Sequence, residues 1–119
     1  MTVNVLGTEY EILYKDYADD YMFTERSVDG YCDDVEKVIV IGNMLTFPNW
    51  EHETEEYCEK FQKIILRHEL IHAFLNESGL SDSSGRIENL GWAKNEEMID
   101  FFAIQFPKIK KVFEELNIT

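Results

Sequence analysis

Apolar positions along the chain follow two different patterns. Up to about Phe47 they come in short runs rich in β-branched and aromatic residues, at 3–6, 10–14, 21–23 and 38–41. Gly7, Asp19-Asp20, Asp29-Gly30 and Gly42-Asn43 separate these runs. Short runs of that composition between turn-forming residues predict strands, so the first half reads as a small β-sheet. Val38-Ile39-Val40-Ile41 is apolar at every position, which suits a strand covered on both faces, with a helix on one of them.

Beyond Pro48 the period changes from two to between three and four. Thr54 is placed to cap a helix, and Glu55, Glu56 and Glu59 put negative charge near the positive end of its dipole. Tyr57, Phe61, Ile64, Ile65, His68, Ile71, His72 and Leu75 then recur at helical spacing, predicting about six turns with one apolar face. Gly79 supplies a stop. Residues 81–91 read as a polar connecting loop, long enough to be functional. A second helix is expected from about Asn95, with Met98, Ile99, Phe102, Ile109, Val112, Phe113 and Leu116 as its apolar side. Pro107 should kink or split it, because the ring removes a donor and crowds the preceding turn. No repeat or simple linker interrupts residues 1–119, so the expectation is one α+β domain.

Composition narrows the classes of function. The 119 residues carry 24 acidic and 11 basic side chains, a formal net charge of −13. Nucleic-acid binding needs a basic stripe to displace counterions from phosphate, and that class is set aside. An apolar fraction of 45% is enough for a folded core rather than an acidic disordered tail. No apolar run approaches the ~20 residues of a membrane span, and the N-terminal residues lack the pattern of a secretory signal. Cys32 and Cys58 are expected to be free thiols in a reducing compartment, so the expected location is cytoplasmic. Phosphate-cradling glycine loops are absent, and two cysteines twenty-six residues apart do not form a cysteine-rich zinc module.

The informative segment is Arg67-His68-Glu69-Leu70-Ile71-His72, which contains H-E-x-x-H. On a helix, residues four apart lie one above the other, so His68 and His72 present their rings to one point and can chelate a zinc ion. Glu69 lies about 100° round the helix from His68, suited to a water at the site rather than to ligation. Its expected role is general base. The competing view is that both histidines are packed core residues. Against it, two of only three histidines fall at the required spacing, on a segment that is helical by cap, period and stop. A catalytic zinc needs a third protein ligand. His52 lies among Glu51, Glu53 and Glu55 and reads as surface, and Ser78 stands where a third histidine six residues beyond His72 would be.

The second helix begins Asn95-Glu96-Glu97-Met98-Ile99-Asp100. H-E-x-x-H followed by N-E-x-x-x-D resembles the gluzincin metallopeptidases. That resemblance implies Glu96 as third zinc ligand and Asp100 as the acceptor that orients His68, with Ile99 standing where the family has Ser. Glu97 is the competing ligand; Glu96 is preferred because only it places Asp100 one turn along the same face, with Ala103 beyond. The chain is more closely similar to small zinc-metallopeptidase-like proteins of phages, prophages and mobile elements, distantly related to the ImmA/IrrE family. The matching stretches are His68 to Gly79 and Asn95 to Ile109, the latter ending Ala103-Ile104-Gln105-Phe106-Pro107-Lys108-Ile109. The resemblance implies a zincin-like fold, one catalytic zinc, a bacterial or phage origin, and hydrolysis of peptide or other amide bonds with Glu69 as base.

Tyr31, read as lying in a turn, is one candidate donor to the tetrahedral intermediate, and the strand at 37–41 is one candidate to align an extended peptide. The acid excess should favour basic or neutral substrates. The rival expectation is a non-catalytic partner-binding protein with a structural or decayed zinc site. Retention of Glu69 speaks for the enzyme, since a structural site needs no base. Oligomeric state is left open by the sequence.

Overall fold

The computed structural model describes residues 1–80 and 92–119. The expected loop at 81–91 lies outside the described residues. In order, the elements are β1 (Thr2–Val5), β2 (Thr8–Lys15), α1 (Tyr21–Arg26), β3 (Gly30–Asp33), β4 (Val38–Gly42), α2 (Glu55–Glu77) and α3 (Glu96–Glu115). Short 3₁₀ turns at Tyr17–Asp19, Met44–Thr46 and Trp92–Lys94 join some of them. This is a small α+β fold.

The four strands form one mixed sheet in the order β1-β2-β4-β3. Leu6 and Gly7, both at positive φ, make the two-residue turn between β1 and β2, and Gly7 N–H donates to Asn4 Oδ1 at 2.9 Å. β4 runs parallel to β2 and antiparallel to β3, so it is a central strand. That removes residues 37–41 as a place to add a peptide strand, because both edges of β4 are already hydrogen-bonded. Among the described residues, the edge strand on that side of the sheet is β3.

Ile39, Val40 and Ile41 are all buried, and alternation sends Val40 to the opposite face from the two isoleucines. Both faces of β4 are therefore covered, as its continuous apolar run predicts. Gly30 pairs with Ile41 and lies beneath Ile65 of α2, so the isoleucines face α2. Tyr31 pairs with Val40 on the other face, where its ring meets Phe23 of α1 at 6.4 Å and Phe23 meets Phe47 at 5.0 Å.

Two expectations for the sheet half are corrected. Residues 21–23 belong to a helix, not a strand: the Asp20 carboxylate caps α1 by accepting from Met22 N–H at 3.0 Å, and Phe23 is its one buried residue. Tyr31 lies in strand β3 rather than in a turn.

α2 begins as its sequence predicts, with Thr54 Oγ1 accepting from Tyr57 N–H at 3.1 Å. It ends at Glu77, and Gly79 takes the left-handed φ of +83° that terminates the last turn. Its buried residues are Cys58, Ile65, Glu69 and Ala73. This stripe is rotated from the predicted one, since Tyr57 is 52% exposed. The reason is that α2 serves two partners, β3 and β4 on one side and α3 on another. An apolar stripe wide enough for both has no single centre.

α3 is capped by Asn95, whose Oδ1 accepts from Met98 N–H at 2.8 Å. It continues as one helix through Pro107, so the expected split does not occur. Ile99 and Ala103 are buried, while Phe102, Val112, Phe113 and Leu116 remain substantially exposed. Among the described residues no helix is long and apolar enough to cross a membrane. Cys32 and Cys58 are free thiols.

Candidate metal centre

α2 and α3 cross so that the H-E-x-x-H face of one meets the first turns of the other. His68 Nε2 and His72 Nε2 are 3.1 Å apart. One oxygen of Glu96, Oε2, lies 3.1 Å from His68 Nε2, and the other, Oε1, lies 3.3 Å from His72 Nε2. Asp100 Oδ1 stands 2.7 Å from His68 Nδ1. His68, His72, Glu96 and Asp100 are thus brought together as a set, although thirty-two residues separate His68 from Asp100. Glu97 makes no comparable approach among the described contacts, and His52 takes no part in the cluster.

The electrostatics explain what such a set can hold. A carboxylate accepts only, so the neutral His68 ring carries its proton on Nδ1 toward Asp100 and presents a lone pair at Nε2. Burial lowers the pKa of His72, which keeps its ring neutral, against the opposing pull of Glu96. The two Nε2 atoms and the two oxygens of Glu96 then converge within 3.1–3.3 Å of one another. With the ring protons on Nδ1, both Nε2 lone pairs and the Glu96 carboxylate are free to share a cation between them. The donor set fits zinc: two His and one Glu is a known catalytic combination, and donors each ~2.1 Å from a tetrahedral ion lie roughly 3.4 Å apart.

Glu69 is distinct from these. Its side chain is 9% exposed, and its Oε1 lies 4.0 Å from His68 Nε2. His68, Glu69 and His72 do offer ligand atoms within 4.8 Å of one another. Glu96 nevertheless sits nearer to both rings than Glu69 does to His68, and it comes from a different helix. Burial pushes the Glu69 carboxyl up to about 7, opposed by His68 and reinforced by Glu96 and Asp29. A carboxyl poised there exchanges a proton readily near neutral pH.

The cluster opens into a groove of about 960 Å³ between the β3 side of the sheet and the two helices. Asp29, Ile64, Asn76, Lys94 and Ile104 contribute to its walls. Asp29, Asn76 and Lys94 were not expected from the sequence; a lone Asp before Gly, a lone Asn and a lone Lys carry no spacing signal. Tyr31 also borders the groove, but its hydroxyl lies 2.5 Å from Asp20 Oδ2, to which it donates. That bond commits it to the α1 side of the sheet and removes it as a donor to a reacting group. Arg67, the residue before His68, donates from Nε to the Ala103 carbonyl of α3.

Compared with models of protein families, with curated proteins and with solved structures, the chain matches none. The reading of the site therefore rests on its residues and their geometry.

Proposed function

We propose that this chain is a zinc-dependent metallopeptidase of zincin-like fold, with His68, His72 and Glu96 holding one catalytic zinc. The observation that carries the reading is the convergence of those three side chains from two helices, with Asp100 behind His68 and Glu69 buried alongside. When bound, zinc supplies Lewis acidity toward a water and toward the carbonyl under attack.

The protein's own residues supply the rest. Asp100 fixes the His68 ring in the tautomer whose Nε2 is free to ligate. Glu69 takes the proton from the attacking water and returns it to the leaving amine. Its position in a buried, half-apolar pocket favours that exchange near neutral pH. The outer edge of β3, unpaired among the described residues, borders the groove, so an extended peptide can lie there by hydrogen-bonding to the strand, with the cluster beneath it. The reading extends to a kink of α3 near Pro107, to the gluzincin-like and phage or mobile-element kinship, and to a cytoplasmic location suited to its free thiols. The excess of acidic groups favours basic or neutral peptides over acidic ones.

A second reading, a non-catalytic partner-binding protein, is favoured by the exposed aromatics of α3, Phe102, Phe106 and Phe113 among them. The two readings part at Glu69. In the enzyme, Glu69→Gln keeps bound zinc and abolishes hydrolysis of a mixed peptide library. Cleavage that persists in this variant refutes the assigned base, and a wild-type protein that binds zinc but cleaves nothing favours the second reading.

A further inference from the structure

α3 stays helical through Pro107, and this has a cost at one specific atom. In an α-helix the N–H of residue 107 would bond the carbonyl of residue 103, but proline has no N–H and its ring crowds that carbonyl. Ala103 is 0% exposed, where α3 packs on α2. A buried carbonyl deprived of its helical donor must find another partner or lose free energy. The partner is Arg67 Nε, reaching across from α2.

The position of this bond in the sequence matters. Arg67 immediately precedes His68, and Ala103 lies on the same stripe of α3 as Glu96 and Asp100, three residues beyond Asp100. The bond therefore ties the backbone beside one imidazole to the helix that carries both carboxylates. A slip of one residue along α3 would move Glu96 by about 1.5 Å. A site of this kind tolerates displacements of only about 0.5 Å.

We infer that Arg67, the Ala103 carbonyl and Pro107 form a clamp that sets the register of α3 along α2, and that Arg67 is thereby a positioning residue for Glu96 and Asp100. The proline frees the carbonyl on the side that faces α2, and the arginine uses it. The contact of Arg67 with α3 is to the backbone carbonyl of Ala103, so its effect on Glu96 and Asp100 passes through the helix backbone. What is positioned rests on the zinc reading; the coupling of Arg67 to Pro107 does not.

The test is a double-mutant cycle with two readouts: zinc affinity by competition with a chelator, and thermal denaturation of the metal-free chain. Arg67→Ala should lower zinc affinity at least about 10-fold, the usual scale for losing a group that orients a ligand. Pro107→Ala alone should change it by no more than about two-fold, since a carbonyl has two lone pairs and keeps Arg67. In the double variant the restored N–H of residue 107 satisfies Ala103 within α3, so the metal-free melting temperature should recover toward that of Pro107→Ala. Zinc affinity should stay about 10-fold down, because no bond from Arg67 ties α3 to α2. Equal losses of metal-free melting temperature in Arg67→Ala and the double variant would overturn the pairing of Arg67 with Pro107, and zinc affinity restored in the double variant would overturn the positioning role. A lowered melting temperature with unchanged zinc affinity would overturn the positioning role. If the wild-type chain binds no zinc, the zinc reading falls, and the rescue of the metal-free melting temperature alone decides the clamp.

Discussion

At Gly30 the sheet and the site helix approach closely, and replacing it by Ala tests that packing. A Cβ there would sit closer than 3 Å to Ile65 Cγ2 and 3.1 Å from the Val40 carbonyl oxygen. Ordinary carbon–carbon contact is about 3.5–4.0 Å, so the overlap with Ile65 is at least about 0.5 Å. Ile65 is 6% exposed and β-branched, with little freedom to rotate away. Forcing a methyl into such a core costs about 1–3 kcal/mol, while the lower chain entropy of Ala returns about 0.4–1 kcal/mol. The net expectation is a loss of roughly 1–2 kcal/mol, or about 4–8 °C in melting temperature for a domain of this size. Thermal denaturation followed by far-ultraviolet circular dichroism reads it directly. Ile65→Ala alone should cost about 2–5 kcal/mol, but it removes the obstructing Cγ2. In that background Gly30→Ala should become neutral or stabilising. An equal loss in both backgrounds, within about 0.5 kcal/mol, would refute the close approach of β3 to α2.

Two further outcomes follow from the cluster and from the far end of α2. Asp100→Ala removes the acceptor at His68 Nδ1 and should weaken zinc binding about 10- to 100-fold, measured by chelator competition; unchanged affinity would show that Asp100 does not orient the ring. Glu77 accepts from Lys37 Nζ at 2.6 Å, Tyr10 Oη at 2.7 Å and Thr8 Oγ1 at 2.9 Å, and these bonds hold its carboxyl down to about 2. Its folded pKa lies below the unfolded value near 4.5, so its stabilisation is complete above that pH and is lost as pH falls toward 2. The gap in melting temperature between wild type and Glu77→Gln should therefore close between about pH 5 and pH 2.5, and a constant gap would contradict the bonded network.

How much of this was legible in the sequence differs from element to element. α2 was legible because Thr54, the apolar period and Gly79 all act locally, and each does in the fold what its chemistry favours. β4 was legible because four consecutive apolar residues demand two covered faces. β3 was not, because Gly30-Tyr31-Cys32-Asp33 offers one residue on each face that only tertiary contacts explain: Gly30 under Ile65, Tyr31 against Phe23. α1 reads as a strand in the sequence because Tyr21-Met22-Phe23 is a short apolar run, while its turn and a half of helix rests on the Asp20 cap rather than on any period. In the cluster, His68, Glu69 and His72 follow from spacing on one helix. Glu96 and Asp100 lie on another, and their approach to the histidines depends on how α3 seats on Ala103 and Ile99, which periodicity does not encode.

The most direct measurement is the zinc content of protein purified without added metal, with His68→Ala purified in parallel. One zinc per wild-type chain, falling close to none in His68→Ala, is the predicted result. Substoichiometric zinc that is the same in both proteins would contradict the site and the enzyme together.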